Sequence, residues 1–391
     1  MSSKLLLFLG IYLISFSASG EDNITEDPLT ELENIAEAIR RSYDIDIKAM
    51  IPVQAVTKSS ITRENVVKYL YIQRKNEMQI DIKADLTDNL SGLDLSGLNF
   101  NDGVLNNILM VGCNISNATF SQATLENSDL RDVIGVGSNF SNANISNAVF
   151  DGANLQHANF NEVFANNSSF NKANLENSMM NNALFEEVNF ANANLSNSNM
   201  TKSQFQKSIF KNASINNATL NSANLDHINA IKSSWSNSHM NDTSNWNSDY
   251  SQADLSHVQF FCAKLSKSTF DHAKMIDIFA EGADFSESTF NNVDFSGSIL
   301  SNSSFKSANL KGSTMKRCVM NDIDASHANF SDSDLSSSIM KNTLLVNTVF
   351  DGTILSDVFI NTDKLYTIDF SKSIINNSII EQKVANEGKT S

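Results

Sequence analysis

The sequence predicts an all-β solenoid, on three observations. Every fifth position from Leu95 to Ile380 belongs to one phase, and 52 of these 58 positions carry Phe, Leu, Met, Ile, Tyr or Trp. The residue two places earlier is Ala, Ser, Thr, Val, Cys or Gly at 50 of the 58, so small and large residues alternate in a fixed order. The phase never slips over nearly 300 residues. Side chains two apart on an extended backbone point the same way, so each unit drives one large and one small residue inward. A period of five fits neither a helix nor a flat strand, so the chain must turn at every unit. Units that cannot bury a core alone must stack.

Ala153-Asn154-Leu155, Ala173-Asn174-Leu175, Ala193-Asn194-Leu195 and Ala253-Asp254-Leu255 show the unit plainly. On these residues the chain resembles the pentapeptide-repeat proteins, whose pattern is small–Asn/Asp–Leu/Phe–x–x. The resemblance covers about three-quarters of the chain. It implies a right-handed quadrilateral parallel β-helix with four repeats, or 20 residues, per coil. The residues support that coil length independently. Phe150, Phe170, Phe190, Phe210, Phe270, Phe290, Phe330, Phe350 and Phe370 fall on one side, and Leu155, Leu175, Leu195, Ile215, Leu255, Leu335 and Leu355 on the next. At about 4.8 Å per coil, about 14 coils make a rod of about 70 Å.

The departures from the grid are Gly135, Ala165, Ala230, Asn245, Ala280 and Ala325. Five follow a larger residue at the small site (Val133, Val163, Ile228, Ile278 and Ile323), a volume swap that a close-packed interior requires. Asn245 follows only Thr243. Both prolines, Pro28 and Pro52, precede the repeats, where no ladder N–H is lost.

Four segments follow. Residues 1–20 read as a secretory signal: Lys4, the apolar run Leu5 to Phe16, and Ala18-Ser19-Gly20 before Glu21. The run is too short to span a membrane comfortably, and the expected setting is periplasmic or secreted. Residues 21–90 read as a small α-helical N-terminal cap. Leu29, Leu32, Ile35, Ala36 and Ile39 form one helical stripe. A second helix starts after Thr62 with Val66, Val67, Leu70 and Tyr71 on one side, and Met78, Ile80, Ile82, Ala84 and Leu86 alternate as a half-buried strand. Such a cap would cover the open edge of the first coil. Residues 91–380 form the β-helix, and 381–391 a polar tail.

Chemistry is sparse. The net charge of −16 excludes a nucleic-acid-binding surface. The six histidines are scattered: His157 and His257 share a side five coils apart, as do His227 and His327. Asp254, Asp294 and Asp334 share a side at about 10 Å intervals, wide for a hydrolase pair. No insertion builds a cleft. The reading is no enzyme, no cofactor and no metal. Cys113 and Cys318 occupy small inward sites and read as buried thiols; Cys262 completes the three.

Two surface features stand out. Phe279, Ile299, Val319, Ile339, Phe359 and Ile379 occupy the same outward place on six successive coils. Ile354 and Ile374 add apolar surface on the preceding side. A stripe of this length suggests a partner surface. The second feature is the stretch 231–261. It reads as a local bulge that swaps Asn245 and Trp246, with an exposed aromatic patch of Trp246 and Phe261 as the alternative.

The leading function is a non-catalytic exported scaffold that binds another protein or itself, with no membrane span. Family members that pair through their C-terminal coils make a homodimer the resemblance-based expectation. The resemblance also implies an alternative, a DNA-mimicking inhibitor of a type II topoisomerase. Lys306, Lys311 and Lys316 interrupt the acids such a mimic would need. A third reading is a cell-surface carbohydrate-binding protein using Trp246 and Phe261.

Overall fold

A computed structural model describes residues 61–382. The expected signal segment, the stripe from Leu29 to Ile39 and the tail beyond Gln382 lie outside the described residues.

One pentapeptide explains the others. In Asn114-Ile115-Ser116-Asn117-Ala118, every backbone N–H has a partner. Asn114 N–H donates to the Leu93 carbonyl in the preceding coil, and Ile115 and Asn117 donate to Ile134 and Val136 in the following one. Ala118 N–H closes the turn on the Ile115 carbonyl at 3.0 Å. Ser116 N–H finds no backbone acceptor and is taken by Asn114 Oδ1 at 3.1 Å. The recurring Asn or Asp before each large residue therefore fills a backbone vacancy that the turn creates. Where that place is not Asn or Asp, a side chain one coil below can substitute: Asn101 Oδ1 accepts from Ser121 N–H at 2.8 Å.

The fourth residue of each unit from Gly92 to Asp357 sits at positive φ. Asn117, Asn147, Asn182 and Asn212 have φ of 57°, 58°, 56° and 57°. Asparagine tolerates this region better than other non-glycine residues. Five of the six histidines, His157, His227, His257, His272 and His327, also occupy this corner place, which accounts for them as turn residues.

The small site has its own logic. Ala leaves room beside the large residue. Many serines there donate the hydroxyl to a carbonyl, as Ser128 does to Leu105 at 2.7 Å and Ser208 to Phe185 at 2.6 Å, whereas the Ser168, Ser178 and Ser338 hydroxyls have no protein partner. Cys113 and Cys318 do the same through sulfur, to Leu90 and Phe295.

Parallel bridges join residues 20 apart without a break from Asn89↔Leu109 to Asp334↔Ile354. The fold is therefore a parallel β-helix with 20 residues per coil. The large residues stack in columns: Phe100, Phe120, Phe140 and Phe160 lie ring on ring at 4.8–5.1 Å, and Phe150 stacks on Phe170 at 4.8 Å. Neighbouring columns meet edge to face, as Phe140 and Phe150 do at 5.6 Å. The volume swaps are present: Ile228, Ile278, Ile323, Val133 and Val163 are all buried beside their small partners. At Gly135 an added Cβ would lie 2.9 Å from Leu155, so neighbouring coils fill the space.

Among the described residues, continuous strands appear only from Ile339 onward. β1 (Ile339–Thr343), β3 (Phe359–Thr362) and β5 (Ile379–Gln382) form one parallel sheet, and β2 (Ile354–Ser356) pairs with β4 (Ile374–Asn376). Isoleucine and threonine are frequent in these segments, and β-branched residues favour extended backbone.

Three expectations need correction. Met78 to Leu86 is not an alternating strand. Only Ile80 and Ile82 are buried, and Met78 and Ala84 are exposed. Ile80 and Ile82 pair with Val104, but the Asp81 carboxylate accepts from Ala84 N–H at 2.9 Å and starts the short helix α2 (Ile82–Asp85). The helix α1 (Arg63–Lys75) does begin after Thr62, whose side chain caps it, but buries Val66, Tyr69, Leu70 and Gln73 rather than Val67 and Tyr71. Tyr69 turns inward because its hydroxyl donates to Asp85 at 2.8 Å and accepts from Asp81 N–H at 2.7 Å. Third, the grid stops being a core before it ends. Ile360 is the last buried grid residue; Leu365 lies in a 3₁₀ turn (Leu365–Thr367), Phe370 and Ile380 are half-buried, and Ile375 is exposed. These residues belong to the last described coil.

Candidate interaction surface

The apolar column is a continuous ladder. Phe279 bridges Ile299, Ile299 bridges Val319, and Val319 bridges Ile339. Ile339 pairs with Phe359 and Phe359 with Ile379. Phe279, Ile299, Ile339 and Ile379 are exposed, and Val319 and Phe359 are half-buried. On the adjoining side Ile354 pairs with Ile374, which is also exposed.

This side of the helix is divided lengthwise. Before Phe279 the same outward place carries Asn199, Thr219, His239 and Gln259 in consecutive bridges; from Phe279 it is apolar throughout. A general preference of strands for β-branched residues would act on both halves equally. The division therefore marks the C-terminal half as a distinct surface.

At the junction lies a hollow of about 560 Å³ lined by Asn241, Gln259, Phe261, Phe279, Glu281 and Ile299. Phe261 reaches it from the corner that precedes Phe279 by one coil. Asn241 Oδ1 accepts from Phe261 N–H at 3.0 Å and fixes that corner. Asn302 donates to Glu281 at 3.2 Å and holds the carboxylate at the rim. This grouping escaped sequence reasoning, although it follows from a 20-residue coil: Phe261 is the corner residue one coil before Glu281.

The bulge expected at 245–246 is absent. The bridges Asn224↔Ser244↔Lys264 keep register, Asn245 is buried and Trp246 is 41% exposed. Asn245 points inward because the core supplies polar partners. Its amide donates to Thr243 Oγ1 at 2.8 Å, and its Oδ1 accepts from the Tyr250 hydroxyl at 2.6 Å. Burial, aided by the nearby negative charge of Asp226, pushes the Tyr250 hydroxyl well above its ordinary pKa.

Trp246 and Phe261 have different surroundings. Trp246 packs edge-on against His227 at 4.8 Å, with Lys267 Nζ 5.8 Å from its ring. Phe261 shares the hollow with Phe279 and Ile299. The structure thus joins Phe261 to the ladder and leaves Trp246 on another corner.

The acids are interleaved with cations. Asp254 lies 3.6 Å from Lys274, Asp332 3.7 Å from Lys311 and Asp334 2.9 Å from Lys316. Among the described residues no three His, Cys, Asp or Glu side chains are placed to hold a metal ion. Among them no helix is long and apolar enough to cross a membrane. Cys262 is exposed, while burial pushes the Cys318 thiol up to about 12 and raises Cys113.

Comparison with known proteins agrees with this geometry. A model described as a pentapeptide repeat region matches residues 89–160. One described as pentapeptide repeats (8 copies) matches 148–186, 189–226, 281–317 and 328–361. A search of curated proteins finds no match. Among solved structures, the chain is similar to HetL, a pentapeptide repeat protein involved in heterocyst differentiation regulation from Nostoc sp. strain PCC 7120. Identity is 17% over 74% of this chain and 98% of that one, with a TM-score of 0.28. It is similar to Rfr23 from Cyanothece 51142 at 24% identity, over 34% and 93% of the two chains, with a TM-score of 0.22. A pentapeptide repeat protein from the Arabidopsis thaliana thylakoid lumen matches at 24% identity over 29% and 65%, with a TM-score of 0.13. At these scores the assignment rests on the family models and on the coil itself. With its unbroken 20-residue register and the two matching models, the chain belongs to the pentapeptide-repeat family.

Proposed function

We propose that this protein is a non-catalytic scaffold whose C-terminal coils bind a protein partner through the ladder from Phe279 to Ile379. The observation that carries the reading is the change along one side at Phe279, from outward residues that are polar with the single exception of Met179 to an unbroken apolar run. Exposed apolar surface of this length costs solubility unless something covers it. Sheet-like backbone that is already fully paired offers side chains, not main chain, to a partner. The apolar run Leu5 to Phe16 supports an exported setting.

In this reading α1 serves as the N-terminal cap. Arg63 donates to the carbonyls of Asp94 and Ser96 at 2.8 and 2.9 Å, and Arg74 donates to Asn99 Oδ1 at 2.8 Å and the Asn101 carbonyl at 3.0 Å. These contacts give acceptors at the first coils a partner and leave the C-terminal half as the surface available for association.

Light scattering during size-exclusion chromatography tests the reading. An Ile339→Lys/Phe359→Lys protein should lose association that an Asn139→Lys/Asn159→Lys protein, charged on the polar half of the same side, retains. Equal behaviour of the two would overturn it.

A further inference from the structure

The order of side chains along the ladder identifies the partner. From Phe279 to Phe359 it reads Phe, Ile, Val, Ile, Phe, symmetric about Val319. Ile299 and Ile339 stand one coil from Val319, and Phe279 and Phe359 two. Three coils away lie Gln259 on one side and Ile379 on the other. These last two differ in a complementary way. Gln259 lines the hollow bounded by Phe261 and Phe279. Ile379, at 59%, is the most exposed residue of the ladder. The hollow also takes in Phe279 and Ile299, so it runs over the rungs one to three coils from Val319, and Ile379 projects three coils away on the other side.

A two-fold axis needs this arrangement. In an isologous pair each residue meets its counterpart across the axis. An axis lying in the interface over Val319, perpendicular to the long axis of the helix, places Phe279 against the partner's Phe359, Ile299 against the partner's Ile339, and the partner's Ile379 at the Gln259 end of the hollow. We propose that the ladder is a self-complementary surface on which a second copy of this chain lies side by side and in the opposite direction, with Val319 on the two-fold axis. The proposal rests on the reading of the ladder as an interface and adds its occupant and geometry. It differs from pairing through the exposed Ile375 at the last coil, which would join two copies end to end.

The size of the surface sets its strength. Six coil steps span about 29 Å, and one side is roughly four extended residues, or about 13 Å, wide. That is on the order of 400 Å² per copy, below the range of stable complexes, so the dimer should form in the micromolar range or weaker.

Cross-linking tests the geometry. In a Cys262→Ser background the two remaining native thiols are buried, so a cysteine on the ladder is the reactive one. Facing sheets lie about 10 Å apart, too far for a direct disulfide, so a short bis-maleimide reagent of about that span is used. Val319→Cys alone should give covalent dimer. Phe279→Cys alone and Phe359→Cys alone should give none, and a mixture of the two should. Dimer from Phe279→Cys alone, dimer only from Ile375→Cys, or a protein that stays monomeric at the highest workable concentration would each overturn the proposal. The reading beneath it fails separately: association that persists unchanged in Ile339→Lys/Phe359→Lys would remove the ladder as an interface altogether.

Discussion

The Tyr250 hydroxyl donates to Asn245 Oδ1 at 2.6 Å inside a core whose other large side chains are apolar. Neither residue fits the core alone. Together with Thr243 they form a closed polar chain, because Asn245 Nδ2 donates to Thr243 Oγ1 and Thr243 donates to the Met240 carbonyl. Asn245→Ala should lower stability by roughly 2–4 kcal/mol, from the cavity and the unpaired Tyr250 hydroxyl. Tyr250→Phe combined with Asn245→Leu should cost less than the two single changes together, because both ends of the bond go at once. Denaturant midpoints of the four proteins measure this coupling; strict additivity would contradict it.

That pair also marks where the sequence stops being legible. The core grid, the small site and the coil length can all be read from the chain because each repeats many times. The ladder can be read too, since Phe279 to Ile379 recur at one place every 20 residues. Asn245 and Tyr250 occur once. Their bond joins neighbouring sides of a coil, and no period reveals it. The α2 segment was misread because Ile80, Ile82 and Leu86 alternate, while the Asp81 side chain that bends the chain into a helical turn leaves no apolar signal. The hollow is not legible in the same way, because Phe261 occurs once at its corner and no period ties it to Phe279, which the coil places on the adjacent rung.

The two tryptophans report the absence of a bulge. Trp235 is buried, its indole N–H donating to Ser233 Oγ at 2.6 Å, and Trp246 is exposed beside His227. Iodide should quench one component of the fluorescence and spare the other. Trp246→Phe should remove the quenchable component. A bulge that buried Trp246 would leave the native protein almost unquenched.

The corner places should tolerate only certain residues. Asn182 has φ of 56°. Asn182→Val should cost about 1–2 kcal/mol, because a β-branched residue is strained there. Asn182→Gly should be close to neutral. Thermal or denaturant unfolding of the two proteins checks the order; a harmless valine would contradict the turn geometry.

Thiol chemistry should separate the cysteines. The burial that holds Cys113 and Cys318 above their ordinary range keeps them protonated and covered, while Cys262 is exposed. A chromogenic disulfide reagent at mildly alkaline pH should titrate one thiol in the native protein and three after denaturation. Rapid reaction of a second thiol would show that the coils open locally.

Sedimentation velocity across a wide concentration range, on the native protein beside Val319→Asp, tests the central claim most directly. The account predicts a sedimentation coefficient that rises with concentration in the native protein and stays flat when a carboxylate sits at the middle of the ladder. A native protein and a Val319→Asp protein that associate equally would contradict it.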